Sequence, residues 1–595
     1  MAWSNGTVRL LGWVAMVWLW CATAHALPLD LTAELVVDGS AGTRPRRVPV
    51  AFLPADCAGR PCWKALVRDP ELSVSVTLGP GTRTFPWSVE AEALHALAVR
   101  QVTLRVRLAA DSFVALGRDY RPTRASHALL DRYDPKWVTL MREGEAVGAV
   151  LADDDMDTLE VSRDHGAVLL GIELLSALAR PFGHLPRCGH AWRDVKGRVV
   201  VAERYLAAGD RLEASGELVL GAVSTVALSP WPEGRDAAFV VTDHADQTSS
   251  DTLHALLGGS STADLDHATR GLFGHHVPIT KALFLHGTAH HASISPAADE
   301  AEVQRLADRM REHGSELAPH SVTPQTDSRA VVDDALGTFA AEGATVWIDH
   351  QPQTNCEGFD QAGWHTGTGI ADLLEKRKFT DVWDLSEWAG PGLDERDPRH
   401  LDRRAATVWP LGRLEPRGPG SLWMFRSTWA FLPTGAFYQR YGDASLDQLE
   451  HDRGLHIAHT YLETLHPHAT FFGRRNLEVR DEHGRPALDP RFDAVLASLD
   501  RRRARGTLWL VPLGPLANRL RSLRGVRLRI DDAGNLDVTS PPGVDALTLQ
   551  LGAIVPLEGT AGQRLADPGV RVWLPECPGP GNEACVRTVA RGLLK

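Results

Sequence analysis

The stretch Ala237-Ala-Phe-Val-Val-Thr-Asp-His-Ala-Asp246 decides how this chain is read. An unbroken apolar run gives way to Asp243, His244 and Asp246. Such a run fits a strand buried on both faces, as in a parallel sheet covered by helices. The polar residues then fall just past the carboxyl end of the strand, where α/β folds gather their ligands.

Working outward, the arrangement recurs. Lys281-Ala-Leu-Phe-Leu285 reads as a second strand, and Val303, Leu306, Ala307 and Met310 follow at helical spacing until Gly314 stops the helix. Pro319-His320-Ser321 follows a short apolar step. Ala344-Thr-Val-Trp-Ile348 runs into Asp349-His350, and Leu455-His-Ile-Ala-His459 closes a late strand. Residues 235–510 therefore read as an α/β region. His456 and His459 stand three apart on a strand and point to opposite faces, so at least one of them is structural.

The flanks read differently. From 27 to 229 short strands alternate, among them Leu72-Ser-Val-Ser-Val-Thr-Leu78 and Val102-Thr-Leu-Arg-Val-Arg-Leu108, as one or two β-rich modules with a helix expected over Val168–Arg180. Pro230–Gly234 reads as a linker. Residues 520–595 alternate again as a small β-domain. The fold class is multidomain, α/β plus β, and 595 residues is too long for one core, so about three or four domains are expected.

Met1–Ala26 carries Arg9, an apolar run from Leu10 to Ala22 and then Ala24-His25-Ala26, the layout of a secretory signal peptide. The run is shorter than the roughly 20 residues of a spanning helix. The expectation is an exported protein, periplasmic, on the outer envelope or secreted, with no transmembrane segment after cleavage. Losing Arg9 takes the formal charge from −12 to −13, which weighs against nucleic acid as a partner. Six cysteines remain: Cys57/Cys62 and Cys577/Cys585 lie close enough in sequence to close short loops, while Cys188 and Cys356 are left to pair or stay reduced. Neither a Gly-x-Ser-x-Gly elbow nor a phosphate-binding glycine loop occurs.

Asp and His at successive strand ends suit a divalent ion such as Zn²⁺ with one open position. Simpler readings exist for each: Asp243 and Asp246 can cap the next helix, as Ser249-Ser250-Asp251 can, and Asp349-His350 can be a surface pair. Trp347, Asn355 and Glu357 are candidate substrate contacts near His350.

The ordered motifs resemble the polysaccharide deacetylase (NodB-homology) family. Asp246 and Thr252 have the spacing of its opening motif, Ile279-Thr-Lys-Ala-Leu-Phe-Leu-His-Gly287 is similar to its second strand, and Gly314-Ser-Glu-Leu-Ala-Pro-His-Ser-Val-Thr-Pro324 aligns with its histidine motif. The resemblance covers about 270 residues of the middle, a span read from the 235–510 boundaries. It implies a distorted β/α barrel and metal-dependent deacylation of a polysaccharide. The family's base falls on Ala245 and its second histidine on Pro324, so replacements are needed. The resemblance then implies a metal on Asp246, His320 and His350, with His244 in reserve, Asp243 as base and His459 as acid; Asp243 and Asp246 can exchange roles. Two other readings stand beside it. Asp243, Asp246, Asp349 and Glu357 allow glycoside hydrolysis on the same barrel, and Ala245 and Pro324 suit a catalytically degenerate carbohydrate-binding or scaffold protein.

Overall fold

The computed structural model describes residues 30–589 apart from internal stretches, the longest being 182–198, 286–299, 351–368, 384–400, 464–476 and 553–570. The expected signal peptide, Asp246, Pro324, Asn355, Glu357, Cys188, Cys356 and Cys577 lie outside the described residues. No described helix is long and apolar enough to cross a membrane.

The protein is multidomain and sheet-rich. In the amino-terminal third, a six-stranded and a nine-stranded antiparallel sheet face each other. One apolar core, from Leu35 and Leu72 to Val161 and Leu218, fills the space between them. Alternating strands such as Leu72–Leu78, buried at every second residue, supply it. The Cys57–Cys62 disulfide forms and ties the hairpin of Leu53–Cys57 and Arg60–Arg68.

The helix expected over Val168–Arg180 is corrected. Ala167–Leu175 and Leu178–Pro181 are strands, and the first is an inner strand of the six-stranded sheet. An apolar run has no period to separate strand from buried helix. Gly171 allows close approach in this sheet: a Cβ there would meet the Cβ of Glu160 on the next strand at 3.2 Å.

The middle region is built on β1 (Ala237–His244), β2 (Thr280–Leu283), β3 (Glu316–Pro319), β4 (Val346–Trp347), β5 (Asp381–Trp383), β6 (Trp423–Arg426) and β7 (Leu455–Thr460). Parallel ladders join β3, β2, β1 and β7 in that order, with Thr428–Trp429 beyond β7; a second sheet joins β4, β5 and β6 in parallel. The sheets meet where Ile348 N donates to Pro319 O at 3.1 Å. Leu508–Leu510 pairs with the amino half of β1 on the edge where β2 joins its carboxyl half. Helix α1 (Ser250–Gly258) starts on a capping box between Ser249 and Thr252 and ends on Gly259 at φ 91°. Ser249 therefore supplies the cap, and the helix needs no upstream carboxylate.

Pro230–Gly234, expected as a linker, is packed in place: Trp231 is buried and its Nε1 donates to Arg453 O. Thr225–Ser229 pairs with Leu547–Gly552 from the far end of the chain. Leu528 N and Arg529 reach Asp153, and Ile530 N donates to Glu217 Oε2 at 2.7 Å. Burial pushes the Glu217 carboxyl up to about 8. A carboxyl with a raised folded-state pKa binds its proton more tightly when folded, so stability is expected to fall as pH rises from the ordinary carboxylate range to about 8. Urea midpoints across that range should show the slope, and Glu217→Gln should flatten it; an unchanged slope would remove Glu217 as its source.

Candidate imidazole site

The carboxyl ends of the parallel strands bring four histidines together. His244 ends β1, His320 follows β3, His350 follows β4 and His459 lies near the end of β7; all four are buried. The His244 ring stacks on His459 at 4.0 Å and 15°, and meets His320 edge-on at 4.6 Å. His320 and His350 are 5.1 Å apart at 79°. Phe284, Trp383 and half-buried Tyr461 complete the wall.

The surroundings orient these rings. A carbonyl only accepts, so the contact of His320 Nδ1 with Ile348 O (3.1 Å) makes Nδ1 a protonated nitrogen and fixes the ring's orientation. Ser321 donates to Asp349 Oδ1 and accepts from His350 N, which ties the two histidine-bearing turns together. His459 Nε2 lies 3.2 Å from the Tyr461 hydroxyl. Trp383 Nε1 donates to Ser427, which fixes the indole against His244 and His459. Burial, followed by His459 and His320, holds the His244 pKa well below the ordinary imidazole value, so the ring is neutral. Neither of its ring nitrogens has a hydrogen-bond partner among the described residues.

Among the described residues, no three His, Cys, Asp or Glu side chains close on one point tightly enough to hold an ion unaided. The donor chemistry still fits a borderline divalent ion, because buried imidazoles oriented by their surroundings are its usual nitrogen ligands. Two imidazoles on one tetrahedral Zn²⁺ place their ring centres about 5 Å apart. His320 and His350 match that spacing, whereas stacked His244 and His459 do not converge on one atom.

The structure gathers His244, His320, His350 and His459. It does not bring Asp243 to them: Oδ2 accepts from Lys281, and Oδ1 accepts from Thr460 and Leu462 N. Trp347 lies wholly inside an apolar core with Leu336, Leu374 and Met424, so its ring face is not presented to a ligand. His456 is the structural member of its pair, held by Tyr441 and Leu401 O. Sequence reading passed over Tyr461, and Lys281 too; a lysine inside a short apolar strand was the signal for the second.

No family model matches the sequence, and no curated protein matches it. Among solved structures, the chain is similar to a GH36 alpha-galactosidase from Geobacillus stearothermophilus, at 9% identity over 88% of this chain and 78% of that one, with a TM-score of 0.30. A galactose mutarotase related enzyme from Lactobacillus acidophilus matches at 8% identity over 32% of this chain and 83% of its own, with a TM-score of 0.20. A polysaccharide lyase matches at 10% identity over 36% of this chain and 29% of its own, with a TM-score of 0.19. None of these three is a deacetylase, and at such scores the likeness carries no argument about activity.

Proposed function

We propose that this chain is an exported metal-dependent hydrolase that removes acyl groups, acetyl foremost, from a polysaccharide. In this reading the two parallel sheets are arcs of one distorted β/α barrel. One observation carries it: four imidazoles from four strand ends meet in a buried cluster, and one is neutral with both nitrogens unpartnered among the described residues. His320 and His350 are the proposed ligands, with Asp246 as the carboxylate expected from the sequence and Zn²⁺ as the ion. A divalent cation at this place supplies Lewis acidity and lowers the pKa of water. His459 holds and returns the proton, with Tyr461 orienting its Nε2. Trp383 and Phe284 keep water from the back of the rings. With both Asp243 oxygens engaged elsewhere, the base role passes to His244, held neutral by burial.

A non-catalytic carbohydrate-binding protein is the second reading, favoured by Ala245 and Pro324 at the positions of the family's base and second histidine. Elemental analysis separates the two. Wild type is expected to purify with about one Zn²⁺ per chain, and His320→Ala and His350→Ala to lose it. Metal-free wild type that stays empty in a zinc titration would leave the second reading standing.

A further inference from the structure

Successive residues of a strand point to opposite faces. His244 faces the imidazoles, so Asp243 faces away from them, at a register level with Lys281 on β2 and Thr460 on β7. The Lys281 side chain has no exposed surface, and its Nζ donates to Asp243 Oδ2 at 2.6 Å, Glu463 Oε1 at 2.7 Å and Thr248 Oγ1 at 2.9 Å. An ammonium has three donors, and here each has its acceptor. Asp243 Oδ1 in turn accepts from Thr460 Oγ1 at 3.1 Å and Leu462 N at 2.6 Å. Burial alone would lower the ammonium's pKa, but the two carboxylates outweigh it and hold Lys281 charged.

Each piece of chain gripped on this side carries something on the other. Thr460 sits between His459 and Tyr461. Asp243 immediately precedes His244, and Thr248 lies four residues beyond it. We propose that Lys281, Asp243 and Glu463 are positioning residues, a buried clamp that sets from behind the stacking of His244 on His459. The proposal rests on the hydrolase reading for its purpose, though not for its geometry. Stability is a poor reason for such a group, since apolar replacement of a buried ion cluster is often neutral or stabilising. A fully satisfied polar network instead fixes one arrangement.

The test uses the full chain with ring-labelled histidine, and His244→Gln and His459→Gln assign the two resonances. Lys281→Met alone strands two carboxylates and can fail to fold, so the decisive variant is the apolar triple Lys281→Met/Asp243→Leu/Glu463→Met. The expected result is a folded, cooperatively unfolding protein whose two rings lose their mutual ring-current shifts in the metal-free state. Its Zn²⁺ affinity should drop about 10- to 100-fold, as when ligand-orienting groups are removed. Asp243→Asn, which keeps the acceptor toward Thr460 and Leu462, should leave the rings stacked. Wild-type ring shifts in the folded triple variant would overturn the clamp, and so would failure of that variant to fold, which would make the cluster a stability element. Absence of metal from wild type would sink the hydrolase reading instead, while the ring resonances would still decide the clamp.

Discussion

Replacing Lys281 with Met is expected to destabilise the α/β region by about 3–5 kcal/mol, the loss seen when one partner of a buried ion cluster is removed. Met fills much the same space, so the effect is electrostatic rather than a cavity. Asp243 and Glu463 would each lose their only buried cation among the described residues, with Glu478 adding a third carboxyl behind them. Glu478 already lies well above the usual carboxylate range, through burial and then through Glu463 and Asp243. Stranded carboxyls relieve the penalty by taking protons, so the deficit should shrink as pH falls. Urea midpoints read by near-ultraviolet circular dichroism at two pH values would check both parts. A loss below about 1 kcal/mol, the range of exposed pairs, would mean that water reaches the ammonium.

If the proposed hydrolase reading holds, His459→Ala is expected to bind Zn²⁺ as the wild type does and to lose about 10²- to 10⁴-fold in turnover of an acetylated polysaccharide, the range general acid–base groups supply. The ring lies nearly parallel to His244 and turns its Nε2 to Tyr461, a geometry suited to proton transfer and unsuited to sharing an ion with its neighbour. Tyr461→Phe should show a smaller loss and a displaced pH–rate profile. Metal leaving together with the imidazole of residue 459 would put that ring in the ligand set and return the acid role to another group.

Much of the site could be read from residues alone, because the rule that α/β sheets place their chemistry past the carboxyl ends of strands needs no coordinates. His244, His320, His350 and His459 follow from it. Strand alternation places His456 and His459 on opposite faces, and the contacts of His456 with Tyr441 and Leu401 O show which one is structural. The same alternation, applied one residue earlier, turns Asp243 away from His244; the resemblance assigns it the base role only as the replacement for Ala245. Lys281 stayed hidden inside a motif valued for its apolar residues. Trp347 is a candidate substrate contact in the sequence because it lies close to His350, yet burial of an indole depends on what packs against it from Leu336, Leu374 and Met424, distant in sequence. The correction over Val168–Arg180 has the same root, since a mostly apolar run reports burial and says little of pitch.

The pairing of Thr225–Ser229 with Leu547–Gly552 joins segments more than three hundred positions apart, and Leu508–Leu510 is wedged beside the very first strand of the α/β region. Neither ladder can form until almost the whole polypeptide has emerged, so the central unit has to wait, partly open, for its own tail. Such late, distant closure slows assembly and leaves sticky surface on show. Shortened versions ending near residue 510 should therefore aggregate rather than yield a working core.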